Sequence, residues 1–225
     1  MNRIPIEVGE WYHCYNRGVD KRKVFASVRD YDRFLTLLFL ANGYSNKRVS
    51  NVRKMPLSRL LGRETLERGA PLVEIGAYAL MPNHVHFIVK EVEEGGIASF
   101  MQKIFTGYTM YFNTKHERTG ALFAGTYKSK HLSTDRYFKH AINYVHMNPI
   151  ELYEPNWKQG AGSLGAIEEK LRAYKYSSLQ DHIGIERAEK KILGTEVFTL
   201  FDTPSSLSTM LFDAQAYYRD TSDWL

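Results

Sequence analysis

Apolar and polar positions alternate along the first 150 residues in a way that predicts short strands and longer helices in turn. Residues 10–18 are rich in aromatic side chains and stop at a glycine, which predicts a first strand. Ser27, three residues before Asp30, forms a capping-box pattern. Tyr31, Phe34, Leu35 and Leu38 then recur at helical spacing, predicting a helix over about 28–42. Residues 44–70 are polar and basic and read as a surface insertion, with a short helix near 56–68 and enough Lys and Arg to touch a phosphate backbone. Val73, Ile75, Ala77 and Ala79 alternate with Leu72, Glu74, Gly76 and Tyr78, the signature of a second strand. A turn at Met81-Pro82-Asn83 leads into a third strand over 84–91, so the two are expected to pair antiparallel.

After Gly95-Gly96, the positions Ile97, Phe100, Met101, Ile104, Phe105, Tyr108, Tyr111 and Phe112 keep the helical period, predicting a helix over 97–115. Residues 122–130 resemble another strand with a basic end. Ser133 or Thr134 can cap a helix that runs to about Met147 and is stopped by Asn148-Pro149. Strand, helix, strand, strand, helix, strand, helix is the order of a ferredoxin-like α+β unit, in which two helices cover one face of an antiparallel sheet and the other face stays free. Residues 1–150 are expected to form this domain. Residues 151–225 form a helical and irregular C-terminal extension packed on it, with Trp157, a glycine-rich turn, a short helix near 166–174 and apolar pieces at 198–201 and 211–218.

The third strand changes the picture from architecture to chemistry. Residues two apart in a strand share a face, so His84, His86 and Ile88 should look one way and Val85, Phe87 and Val89 the other. Two imidazoles on one face serve packing as well as a metal, and the downstream helix decides between them. In it Phe138, Ile142 and Val145 form one stripe, while Tyr137, Ala141, Tyr144 and Asn148 form a second about a quarter turn away. Tyr144 and Asn148 are spaced i, i+4 and present a phenol and a carboxamide side by side. Laid over the free face, this helix could supply Asn148 as a third, oxygen ligand beside His84 and His86, with Tyr144 as a nucleophile. Three neutral ligands leave the full charge of a cation for a bound phosphate. His140, one turn before Tyr144, could exchange a proton with it or be a plain surface histidine. His13 reads as a structural strand residue, Trp11 and Tyr127 as core side chains before base-stacking ones, and Tyr108 and Tyr111 belong to an apolar helix stripe.

Composition narrows the class. One cysteine, Cys14, excludes an internal disulfide and a cysteine-built zinc site. The longest apolar run, residues 34–41, is far short of the roughly 20 residues of a membrane span. The first residues lack the apolar core of a signal peptide, so a cytoplasmic protein is expected, with no membrane partner. Charge is uneven: residues 1–150 hold 22 Lys and Arg against 13 Asp and Glu, and residues 151–225 hold 8 against 12. The histidine-bearing part is thus the basic part, as a polyanion would require. Arg17, Lys128, Lys130, Arg136 and Lys139 are the candidates for holding DNA phosphates. No Gly-x-x-x-x-Gly-Lys loop is present, so a nucleotide cofactor is not expected.

His84-Val85-His86 matches the His-hydrophobe-His motif of HUH endonucleases, and 144–149 matches their single-tyrosine branch, where an amide ligand follows the tyrosine by four residues. Tyr12-His13 with Asn16-Arg17-Gly18, Met81-Pro82-Asn83-His84, Gly120-Ala121-Leu122-Phe123, Tyr127-Lys128-Ser129 and Tyr174-Lys175-Tyr176-Ser177-Ser178 extend the likeness across about residues 10–182. Together they resemble the REP-associated tyrosine transposases and the insertion-sequence transposases of the 200/605 group. The resemblance implies an HUH fold, with the tyrosine helix near the sheet face opposite the other helices. It implies a nickase and strand transferase for single-stranded hairpin DNA, dependent on Mg²⁺ or Mn²⁺ and acting through a covalent 5′-phosphotyrosine. Monomer and homodimer both fit it. Two other readings stay open on the residues alone: a non-catalytic nucleic-acid-binding module, and a metallohydrolase in which metal-bound water attacks.

Overall fold

A computed structural model describes residues 5–43, 55–62, 69–159, 164–200 and 205–221. Four antiparallel strands form one sheet: β1 (Trp11–Arg17), β2 (Val73–Met81), β3 (His84–Glu91) and β4 (Lys128–His131), in the order β2-β3-β1-β4. The fold is α+β, as the alternation of elements predicts. β3 is central, paired with β2 through the short turn at Pro82-Asn83 and with β1 so that Tyr15 sits opposite His86 and His13 opposite Ile88.

One face of the sheet carries the main core. Val85, Phe87 and Val89 of β3 pack with Tyr12 and Cys14 of β1 against helices α1 (Val28–Leu40), α2 (Leu57–Leu61) and α3 (Gly96–Lys115). The start of α1 follows its capping signal: the Asp30 carboxylate accepts from the Ser27 N–H at 2.9 Å and the Ala26 N–H at 2.8 Å. Of the basic insertion, Lys47, Arg48, Arg53, Lys54, Arg63 and Arg68 lie outside the described residues. Its short helix α2 buries Leu57, Leu60 and Leu61, so that part of it serves the core.

The opposite face receives the tyrosine-bearing helix, as expected. Helix α4 (Asp135–Met147), capped by Thr134 Oγ1 accepting from the Tyr137 N–H at 3.2 Å, lies across it. Short helices α5 (Leu164–Ala173) and α6 (Leu179–His182) and the longer α7 (Leu207–Thr221) follow, and α7 packs along α4. Trp11, Ala77, Ala79 and Ile88 from the sheet meet Phe138, Ile142, Tyr144 and Val145 of α4, Trp157, and Met210, Ala214 and Tyr217 of α7. Both stripes of α4 are therefore buried, one under the sheet and the other under α7. The sequence pattern alone shows two apolar-to-polar stripes but not that a helix 70 residues away supplies the second cover.

Two local differences have physical causes. In β2 the register shifts between Ile75 and Ala77, a bulge at Gly76. It puts Val73, Ile75, Tyr78 and Leu80 in the main core and Ala77 and Ala79 on the α4 side, where strict alternation had placed 73, 75, 77 and 79 together. A side chain at Gly76 would meet the Trp11 ring, 2.8 Å from the position of its Cβ. The strand expected over 122–130 shrinks to Lys128–His131. Upstream, Gly125 has φ +74°, which breaks an extended path, while Leu122, Phe123 and Tyr127 still reach the main core as loop residues. At the other end, Asn148-Pro149 ends α4 as expected, but the chain continues in a 3-10 turn, Asn148–Leu152.

Candidate active site

His84 and His86 lie on the same face of β3, both buried, with ring centres 5.0 Å apart and planes at 89°. Each is held through Nδ1. His84 Nδ1 is 2.7 Å from Asn83 Oδ1, an acceptor, so the ring proton belongs on Nδ1 and Nε2 carries the lone pair. His86 Nδ1 is 2.9 Å from Nε2 of His13, whose own Nδ1 is 2.9 Å from the hydroxyl of Tyr217 on α7. Burial pushes the His84 imidazole down to about 4, an effect that Glu151 partly opposes, and burial likewise holds His86 well below its usual value. Both rings are neutral at physiological pH, the form in which imidazole binds metal.

α4 delivers the other two groups. Tyr144 is buried, its ring centre 5.6 Å from that of His86 and perpendicular to it. Asn148, one turn on, donates from Nδ2 to the Tyr144 carbonyl at 2.8 Å, while its Oδ1 is buried and makes no hydrogen bond within the described residues. The amide nevertheless bears on both neighbours, favouring a proton on His84 and ionisation of Tyr144. An orphaned buried acceptor costs about 1–3 kcal/mol unless something satisfies it, and a divalent cation held also by two imidazoles would do so. Among the described residues no cluster of three or more His, Cys, Asp and Glu could hold a metal, so a site here is one of two imidazoles and an amide. Burial raises the Tyr144 phenol above its ordinary value. At neutral pH it is therefore protonated and needs assistance to act as a nucleophile.

His84, His86 and Tyr144 open on a cleft of about 180 Å³, also lined by Tyr15, Asn16, Arg17, Thr126, Lys128 and Lys158. Arg17 and Lys128 thus stand at the site. Lys130, Arg136 and His140 do not reach it. Lys130 lies over the Tyr137 ring at 5.1 Å, and Arg136 and His140 line a second depression between the start of α4 and the end of α7. His140 Nε2 faces Asp213 Oδ1 of α7 at 3.5 Å, and Lys139 lines neither cleft. Trp11 and Tyr127 are core residues, and Tyr108 is buried with its hydroxyl donating to the Val24 carbonyl.

Four participants escape the sequence pattern. His13 is more than a strand residue, because it holds His86. Its signal is the shared face with Tyr15 in the strand beside β3. Lys158 sits 5.6 Å from the centre of the Tyr144 ring, in a salt bridge to Glu151 at 2.8 Å. Tyr217 and Tyr218 of α7 pack on Tyr144 at 5.2 and 6.4 Å between ring centres. Nothing local in the sequence marks Lys158 or the two tyrosines.

Among the described residues no helix is long and apolar enough to cross a membrane. No curated protein matches the chain. A solved structure of a REP-associated tyrosine transposase bound to a REP hairpin is similar to it at a TM-score of 0.49 and 14% sequence identity, covering 92% of this chain and 96% of that one. The family model described as "Transposase IS200 like" matches residues 64–153. The stretch that carries His84, His86, Tyr144 and Asn148 is thus the stretch over which this chain matches the IS200-like transposases.

Proposed function

We propose that the protein is a metal-dependent nickase and strand transferase for single-stranded DNA that folds into hairpins, such as REP-like palindromes, and that it works through a covalent 5′-phosphotyrosine. One observation carries this reading: two imidazoles with their Nδ1 atoms already engaged and a phenol converge at a basic cleft, and an unsatisfied buried amide oxygen one helical turn after the phenol lies beside them. In the proposed reaction Tyr144 Oη attacks the phosphorus and the bond to the 3′ oxygen breaks. The phenol gives up its proton, and the 3′ oxygen takes one up to leave as a hydroxyl. Reversal by a 3′-hydroxyl rejoins strands without a nucleotide cofactor. His84, His86 and Asn148 would hold a divalent ion, Mg²⁺ or Mn²⁺, which polarises the scissile phosphate and offsets the charge that develops on it.

The residues around the phenol supply the rest. Lys158 brings a cation beside a tyrosine whose burial disfavours its anion. Arg17 and Lys128 line the same cleft and are placed for the phosphates flanking the scissile one. Residues 1–150 provide the reacting groups, and the C-terminal extension adds Lys158 to the cleft lining and packs Tyr217 and Tyr218 of α7 on Tyr144. Arg136 lines the second depression and would contact DNA there, beyond the cleft; Lys130 and Lys139 line neither.

The test is adduct formation. Wild-type protein with Mn²⁺ and single-stranded hairpin DNA should give a covalent protein–DNA species, with the nucleotide linked to the peptide that contains Tyr144 by mass spectrometry. Tyr144→Phe should bind the hairpin as well as wild type and form no adduct. An adduct in that variant overturns the assignment of the nucleophile. Cleavage with no peptide-linked nucleotide would point to metal-activated water instead.

A further inference from the structure

We propose that Tyr217 and His13 are positioning residues for His86, forming a two-bond relay from the C-terminal helix that decides which nitrogen of the His86 ring carries its proton. The inference rests on the reading of His84, His86 and Asn148 as metal ligands, and it gives α7 a part in metal binding that no residue of α7 could play by contact with the ion.

The two histidines of β3 are held differently. Asn83 Oδ1 can only accept, so its bond to His84 Nδ1 at 2.7 Å fixes the His84 proton on Nδ1 and leaves Nε2 as a ligand. His86 has no such one-way partner. A neutral His13 ring offers one donor and one acceptor, so the chain from Tyr217 through His13 to His86 can run in either direction. If the Tyr217 hydroxyl donates to His13 Nδ1, then His13 Nε2–H donates to His86 Nδ1 and the His86 proton is on Nε2, where no ion can bind. If His86 Nδ1–H donates to His13 Nε2, then His13 Nδ1–H donates to the Tyr217 oxygen and His86 Nε2 is free.

The competent state therefore needs an acceptor at the far end, and Tyr217 supplies it. The three side chains are buried, at 3% exposure for His86, 1% for His13 and 0% for Tyr217, so water cannot take that role. The His13 and His86 rings lie nearly coplanar, at 24° with centres 5.1 Å apart, the edge-to-edge arrangement that an in-plane nitrogen–nitrogen bond requires. Partners that orient a metal-ligating histidine through its second nitrogen typically matter by about 10- to 100-fold in metal affinity.

The experiment measures Mn²⁺ affinity without DNA, from the electron paramagnetic resonance signal of free Mn²⁺, on the full chain. Melting curves without metal are recorded alongside. Tyr217→Phe keeps the ring and removes only the hydroxyl, the sole acceptor proposed for the competent direction, and should weaken Mn²⁺ binding about 10-fold. His13→Phe should weaken it further, and His13→Gln, whose amide oxygen can accept from His86 Nδ1, should recover most of the loss. A merely structural role for His13 would not produce that rescue. If Tyr217→Phe binds Mn²⁺ as wild type does while His84→Ala does not bind it, the relay is overturned and the metal site stands. If wild type fails to bind Mn²⁺, or His84→Ala binds it equally well, the metal-site reading fails and the relay with it. Should His13→Phe not fold, Tyr217→Phe decides alone.

Discussion

The two faces of β3 are built from alternating residues of one strand, yet they obey opposite rules. Val85, Phe87 and Val89 enter a core built mainly of hydrocarbon, while His84 and His86, set between them, face imidazole, phenol and amide groups. The first face gains stability by removing hydrocarbon from water. The second buries polar groups, each needing a partner, and leaves at least one, Asn148 Oδ1, without a hydrogen bond. The pair teaches that one face holds the fold while the other spends stability to keep acceptors pointed at a common place.

The comparison breaks most sharply at Phe87. Phe87→Ala should cost about 3–5 kcal/mol, seen as a large fall in the denaturant midpoint. If its stability changes no more than that of His84→Ala, the division of labour between faces is wrong. Next comes Asn148→Leu. Replacing an unsatisfied buried amide by hydrocarbon of like size should leave metal-free stability within about 1 kcal/mol of wild type, yet weaken Mn²⁺ binding and abolish adduct formation. A stability loss several times larger would mean that Oδ1 is satisfied in solution and is not waiting for a ligand.

Smaller effects sharpen the picture at the cleft rim. Arg17→Ala and Lys128→Ala should each weaken hairpin binding uniformly across sequences and lower the salt slope of log affinity by about one. Lys139→Ala, distant from the cleft, should change it less. The smallest effect is acid sensitivity. The His182 imidazole, which donates from Nε2 to the Gly76 carbonyl, is pushed down to about 4 by burial. Its folded value lies below its unfolded one, near 6.5. The stability this contributes is therefore present above about pH 6.5 and is lost as pH falls toward 4. His182→Gln should narrow the stability lost between pH 7 and pH 4, and an unchanged acid limb would place that sensitivity elsewhere.

Much of this was legible in the chain because it is local. Strand periodicity placed His84 and His86 on one face, helical spacing paired Tyr144 with Asn148, and Ser27 and Asp30 announced α1. What stayed hidden depends on contacts between distant segments. His13 meets His86 from 73 residues away and Tyr217 meets His13 from 204, and no local period carries such pairings. The tyrosine helix lies across the second sheet face as expected, but the cover that α7 adds to α4 comes from a segment that no local period announces. The bulge at Gly76 was masked because a strand buried on both faces reads as alternating in either register.

That bulge also sets a clearance. By shifting the register it turns Ala77 and Ala79, the latter opposite His86, toward α4. Two methyl groups of the strand beside the imidazoles thus meet the helix that carries the phenol. β2, which carries neither imidazole nor phenol, therefore helps to seat α4. On the proposed reading, a longer side chain there, as in Ala79→Val, should displace Tyr144 from His86 while leaving every chemical group in place, seen as lost adduct formation with hairpin binding retained.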